Sequence, residues 1–200
     1  EDESNRYCIQ LYHRVASAFD LADLDVLEVG SGRGGGASYV KRYLAPRTLT
    51  GVDLTANAIA FCREHYAIPG LTFVRGDAQA LEFEDDSFDA VINVESSHCY
   101  PSMDRFLAEV VRVLRPGGHL LYADHRTSAD VAELRRQFHD AGLVVVSEER
   151  LNAGILHALE LDNPRKQALI RSHVPWVLRP LFLQFAAMEG TRAIYATLLS

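Results

Sequence analysis

The sequence predicts an α/β fold: a doubly wound, mostly parallel sheet of Rossmann-like type, with a helical cover at its C-terminal end. Three observations predict it. Short apolar runs alternate with segments of three- and four-residue apolar spacing about five times before residue 150. One run, Val26-Leu27-Glu28-Val29, breaks into five glycines within the seven residues Gly30 to Gly36, as a buried strand does when it turns tightly into a helix. Phe88 to Val94 is near-continuously apolar, which suits the centre of a parallel sheet.

In chain order, residues 4–20 read as an amphipathic helix through Cys8, Leu11, Tyr12, Val15 and Phe19. Asp25 to Val29 is the first strand, and Gly36 to Leu44 the helix after the glycine turn, stopped before Pro46. Thr48 to Asp53 is the second strand. Thr55 caps a helix over Ala56 to Tyr66 with Ile59, Phe61 and Cys62 inward. Pro69-Gly70 turns into the third strand, Leu71 to Arg75, and Phe88 to Val94 is the fourth. Met103 to Leu114 repeats Phe106, Val110, Val113 and Leu114 on one helix face. It closes at Arg115-Pro116-Gly117-Gly118, before a fifth strand over His119 to Asp124. Ser128 caps a helix over Asp130 to Ala141, Gly142 ends it, and Leu143 to Ser147 is a sixth strand. Residues 1–150 are thus a nucleotide-type core. Leu151 to Leu161, Arg165 to His173 and Pro175 to Ser200 read as helices rich in Trp176, Leu181, Phe182, Phe185 and Tyr195. They either pack on the sheet or a neighbouring subunit, as in a homodimer, or cover a pocket for an apolar substrate.

The 200 residues suit one domain with a full core, and the net charge of −7 gives no basic footprint for nucleic acid. No apolar run reaches the roughly 18 residues of a membrane span, and no signal-peptide pattern leads the chain. Cys8, Cys62 and Cys99 lie far apart; they form neither a disulfide framework nor a metal site and suit a reducing cytoplasm. Cys8 and Cys62 read as small buried hydrophobes.

Gly30, Gly32 and Gly35 satisfy G-x-G-x-x-G, which leaves the choice between NAD and another adenosine cofactor open. Asp53, at a strand end, suits ribose hydroxyls in either case. Glu28 is more selective: an acid inside a buried strand is costly unless paired. A sulfonium cofactor with an amino-acid tail gives it a role, directly or through water and backbone. Asp77, after Gly76, suits the exocyclic amine of adenine, with Ala78 leaving room for the ring. The acids of Phe83 to Asp89 read as a solvated turn, and Arg112 to Gly118 as a structural reversal.

Glu28-x-Gly30-x-Gly32, Asp53, Gly76-Asp77-Ala78, Ser87-Phe88-Asp89 and Leu114-Arg115-Pro116-Gly117-Gly118 together resemble the class I S-adenosylmethionine-dependent methyltransferases, over about residues 5–150. Asn93 to Pro101, with Gly34 to Tyr39 upstream, is similar to actinobacterial small-molecule O-methyltransferases. These include the mycobacterial enzymes for phthiotriol and phenolphthiocerol dimycocerosate lipids, and related natural-product sugar O-methyltransferases share the Glu-Ser-x-His stretch. The resemblance implies S-adenosyl-L-methionine held by Gly30, Ser31, Gly32, Asp53, Leu54, Asp77, Ala78 and Asn93, with Glu28 beside them. Tyr12 is a candidate contact to the cofactor carboxylate, its alternative being core packing. His98 and Asp124 match a general base and its carboxylate partner in the sugar enzymes. His125 and Arg126 are expected to project differently, with His125 as an understudy. In that family a final strand follows the C-terminal helices; this chain ends at Ser200 in a helical pattern and is read as a core portion of a longer protein.

The implied activity is methylation of a hydroxyl on a lipid or polyketide-like alcohol. An alcohol is a weak nucleophile with its proton attached, and an imidazole near its own pKa is suited to remove it. Two alternatives stand beside this reading: an NAD-dependent oxidoreductase, and a methyltransferase-like domain that binds cofactor without turnover.

Overall fold

The computed structural model describes residues 6–185, in two compact units that divide between Val144 and Val145. The part of the expected helix Pro175 to Ser200 that follows residue 185, with Tyr195, and the expected start of the first helix at residue 4 lie outside the described residues.

The first unit is built on five parallel strands, β1 (Asp25–Val29), β2 (Thr48–Asp53), β3 (Leu71–Arg75), β4 (Phe88–Val94) and β5 (Leu114–Ala123). Their order is β3-β2-β1-β4-β5, so the winding reverses between β1 and β4 and opens a crevice at the strands' carboxyl ends. Helices α1 (Arg6–Ala16), α2 (Gly35–Tyr43) and α3 (Ala56–His65) cover one face through Val15, Ala37, Val40, Ile59 and Cys62. Helices α4 (Met103–Val113) and α5 (Ser128–Asp140) cover the other through Phe106, Leu107, Val110 and Phe138. Strand alternation sorts the side chains. Val26 of β1 joins the first face, while Leu27 and Val29 join the second. Glu28 therefore points toward α1.

Burial of both faces explains why β1 to β4 begin and end where their sequence pattern does. The differences have local causes. Leu114 pairs with Phe88 and His119 with Ala90, so β5 starts at Leu114 and the Arg115 to Gly118 reversal bulges out within it. Asp124 is consequently the first residue beyond the strand. The expected sixth strand is not formed among the described residues: Val144 and Val146 are each 85% exposed and pair with none of the described strands. Propensity makes a strand only where a pairing edge receives it. Cys8 is exposed, not buried. Thr127, not Ser128, caps α5 by accepting the Asp130 N–H at 3.3 Å.

The acids of the 83–89 segment are partly held rather than merely solvated. Arg112 donates to the carbonyls of Leu81 and Phe83, each at 2.7 Å, and pairs with Asp85 and Glu109, each at 2.8 Å. Asp89 pairs with Arg115 at 2.7 Å and accepts the Asp25 N–H at 2.8 Å.

In the second unit, α6 (Asn152–His173) is one continuous helix rather than two. Pro164 sits inside it, and Arg165 bonds back to the buried Asp162 across the missing backbone bond. A 3-10 turn, Trp176–Leu178, leads into α7 (Arg179–Phe185).

Candidate active site

The turn after β1 supplies the floor of the crevice. Gly30 has φ +79°, and a Cβ there would lie 1.9 Å from Ser96 Oγ and 2.8 Å from the Tyr100 hydroxyl, so this position admits no side chain. The Gly30 and Ser31 N–H groups both donate to the Val52 carbonyl, at 2.8 and 2.9 Å. Asp53 Oδ2 accepts the Gly32 N–H at 2.9 Å, and Oδ1 accepts the Thr55 N–H at 2.8 Å. The acid at the end of β2 is thereby fixed against the glycine turn. Leu54, next to it, is 64% exposed. Asp77 folds its carboxylate onto the Gln79 N–H at 2.9 Å, in the turn that follows β3 and contains Ala78.

Glu28 is fully buried, and its Oε1 accepts the Tyr12 hydroxyl at 2.8 Å. Burial pushes its carboxyl up to about 7; the negative Asp53 adds to the rise and the Tyr12 bond opposes it. The same pair, buried together, drives the Tyr12 phenol well above its ordinary range, so Tyr12 acts as a neutral donor. Its ring presses on α2, where a Cβ at Gly36 would lie 1.9 Å from it.

The buried Glu28 Oε2, Ser31 Oγ and Asn93 Oδ1 have no hydrogen-bond partner among the described residues, although Asn93 Nδ2 donates to the Val29 carbonyl at 2.8 Å and to Tyr100 at 3.0 Å. Three unsatisfied polar atoms around one switch point are uncommon in a native core. A cofactor that carries an ammonium group and hydroxyls has the donors these atoms lack. A Cβ at Gly32 or Gly35 would meet nothing within 4 Å, which leaves their backbone open to approach. The residues expected for S-adenosylmethionine thus fit its chemistry.

Across the crevice, β4 ends and Glu95 adopts φ +51°, a strained left-handed conformation for a residue with a side chain. That kink starts the 3-10 turn Ser97–Cys99 and carries His98 back over the end of β5. His98 Nδ1 lies 2.6 Å from Asp124 Oδ1, with the imidazole 31% exposed and the Asp124 side chain fully buried. Asp124 Oδ2 also accepts the Ser97 hydroxyl at 2.6 Å and the His98 N–H at 2.8 Å, and Arg126 pairs with it at 3.1 Å. Burial pushes the Asp124 carboxyl up, but the Ser97 and His98 bonds and the Arg126 charge outweigh it and hold it below the usual range. The carboxylate stays ionised, so the proton between the two residues resides on Nδ1. The lone pair of a neutral His98 is then on Nε2.

Ser97, Tyr122 and Arg126, to which the sequence pattern gives no role, complete the cluster with His125, the understudy of His98. Arg126 donates to Ser97 Oγ at 2.7 Å, and Ser97 contacts the Tyr122 hydroxyl at 2.8 Å. The expectation that His125 and Arg126 project elsewhere fails because strand alternation ends at Ala123. The His125 ring centroid lies 4.1 Å from that of His98, and its Nδ1 lies 3.2 Å from Glu95. Among the described residues, His98, Asp124 and His125 are near enough to share a metal ion. The Arg126 guanidinium already occupies the Asp124 carboxylate, which favours the hydrogen-bonded dyad.

The family described as "Methyltransferase domain" matches residues 27–122. The chain is 47% identical over 191 residues to the phthiotriol/phenolphthiotriol dimycocerosates methyltransferase of Mycobacterium leprae, covering 96% of this chain and 71% of that protein. It is 49% identical over 178 residues to the fatty-acid O-methyltransferase of Mycolicibacterium smegmatis, covering 89% and 65%. The fold is shared with phosphoethanolamine N-methyltransferase 2 of Haemonchus contortus in complex with S-adenosyl-L-methionine. There the TM-score is 0.73 at 17% identity, over 88% of this chain and 47% of that one.

Proposed function

The chain belongs to the S-adenosylmethionine-dependent methyltransferases, and from that premise we propose that it methylates a hydroxyl on a lipid or polyketide-like molecule, with His98 as general base. The observation that carries this reading is the 2.6 Å bond between His98 Nδ1 and the buried Asp124 carboxylate. The names of the relatives support the substrate class, since both act on lipid-type molecules. Membership in this family sets aside the NAD-dependent alternative.

The cofactor supplies an electrophilic methyl group on a sulfonium with a good leaving group. What remains for the protein is alignment, exclusion of water and removal of one proton. Gly30, Ser31, Gly32 and Asn93 would hold the cofactor at the switch point, with Glu28, bonded to Tyr12, available to its amino-acid tail. Asp53 would take the ribose hydroxyls, and Leu54, Asp77 and Ala78 the adenine. Asp124 holds His98 in the tautomer whose Nε2 accepts the hydroxyl proton, and it stabilises the imidazolium that results. The exposed edge of the ring then releases that proton to solvent.

His98→Ala is the test. On an apolar alcohol, turnover should fall by about 10²–10⁴-fold while S-adenosylhomocysteine binds as before. Unchanged turnover on the alcohol removes the general-base role. On a fatty acid, whose carboxylate is already deprotonated, the same substitution should cost little, so the two losses together separate the acceptor classes.

A further inference from the structure

None of the residues given a role in methyl transfer above lies on one surface of the second unit. Between residues 163 and 185 the sequence holds Arg165, Lys166, Arg171 and Arg179 and neither Asp nor Glu, in a chain whose net charge is −7. The same stretch exposes a run of large apolar side chains. Trp176 is 77% exposed, Val177 64%, Leu178 47%, Leu181 66% and Phe182 42%. Large side chains this exposed and this close in sequence mark an interaction surface rather than scattered surface hydrophobes.

Arg165 is neutralised by Asp162 at 2.5 Å. Arg179 is different: its guanidinium donates to the Arg171 carbonyl at 2.9 Å and the Val174 carbonyl at 3.0 Å. Those bonds tie the apolar segment to the end of α6 and place no formal counter-charge on Arg179. Asp162, Asn163 and Ile170 are the buried residues of α6, so the exposed apolar groups are not the helix's own packing face.

We propose that residues 163–185 dock the protein on the surface of an anionic lipid bilayer. An exposed indole with neighbouring Leu and Phe suits the headgroup boundary. Each nearby basic residue adds attraction to anionic headgroups. A second copy of the chain fits poorly, because it would bring the same basic residues against themselves. The mode is surface docking: no described helix is long and apolar enough to cross a membrane. Docking of this kind does not depend on His98, and it is read without turnover.

Trp176 is the single tryptophan of the sequence, so its emission reports this segment alone. The full chain is titrated with vesicles of equal parts phosphatidylglycerol and phosphatidylcholine, and with phosphatidylcholine alone. Expected are a blue shift and quenching by brominated acyl chains with the anionic vesicles, binding at least about tenfold tighter than to the neutral ones, and loss in high salt. Arg171→Glu should weaken co-sedimentation by about tenfold or more with an unchanged circular dichroism spectrum. Trp176→Ala should weaken it several-fold. Emission indifferent to both vesicles, or equal binding to both, overturns the proposal. So does a blue shift that grows with protein concentration in the absence of lipid.

Discussion

Glu28→Gln should flatten the pH dependence of stability. In the unliganded wild type, a carboxyl raised from an ordinary 4.5 to about 7 binds its proton more tightly in the folded state than in the unfolded one. Its contribution to stability is therefore complete below about pH 4.5 and is lost as pH rises through about 7. Integrating over that window gives a loss of about 2–3 kcal/mol between about pH 5 and about pH 8. The amide keeps an oxygen for the Tyr12 hydroxyl but does not titrate. The assay is urea unfolding of both proteins at the two pH values, without cofactor. Other titrating groups cancel in the difference between variants, so wild type should lose about 2–3 kcal/mol more than Glu28→Gln. Parallel curves for the two proteins would show that Glu28 keeps an ordinary pKa, and the picture of a buried, half-satisfied acid would fail. The same substitution should shrink the thermal shift produced by S-adenosylhomocysteine, because an ionised Glu28 no longer faces the ammonium end of the ligand.

Three further outcomes test other contacts. Asp124→Asn offers an N–H to His98 Nδ1 and favours the wrong tautomer, so turnover on an alcohol should fall by about 10²–10⁴-fold with cofactor binding retained; steady-state kinetics beside calorimetric titration checks this. Gly36→Ala drives a methyl into the Tyr12 ring and should cost about 1–3 kcal/mol. In a double-mutant cycle Tyr12→Ala should recover part of that cost, and strict additivity would refute the contact. Arg112→Ala frees the Leu81 and Phe83 carbonyls and should destabilise by about 2–3 kcal/mol in urea unfolding, with turnover per folded molecule unchanged.

Much of the sheet was readable because its boundary signals are local. Glycine ends β1, glycine and proline bracket β3, an acid ends β2, and the apolar run of β4 is bounded by polar turns. The sixth strand misled for the opposite reason. Val144 to Val146 have strand propensity, but pairing depends on a distant edge that sequence does not display. The approach of His98 to Asp124 follows from the rule that the ends of adjacent parallel strands share one crevice. Ser97, His125 and Arg126 do not follow from it, because their directions are set after the strands end. The left-handed turn at Glu95 carries no compositional mark, since glycine or asparagine is the residue that would announce it.

The bond from Tyr12 to Glu28 has a consequence beyond the crevice. It ties α1 to β1 through side chains, and it joins the first described helix to an acid whose charge state is finely balanced. Any ligand that favours the carboxylate over the acid strengthens that bond, and by thermodynamic reciprocity a well-seated α1 favours the ligand. Amide hydrogen exchange along α1 should therefore slow when S-adenosylhomocysteine is added, and this protection should vanish in Tyr12→Phe. The opening helix then acts as a coupled element whose local stability tracks occupancy of the crevice.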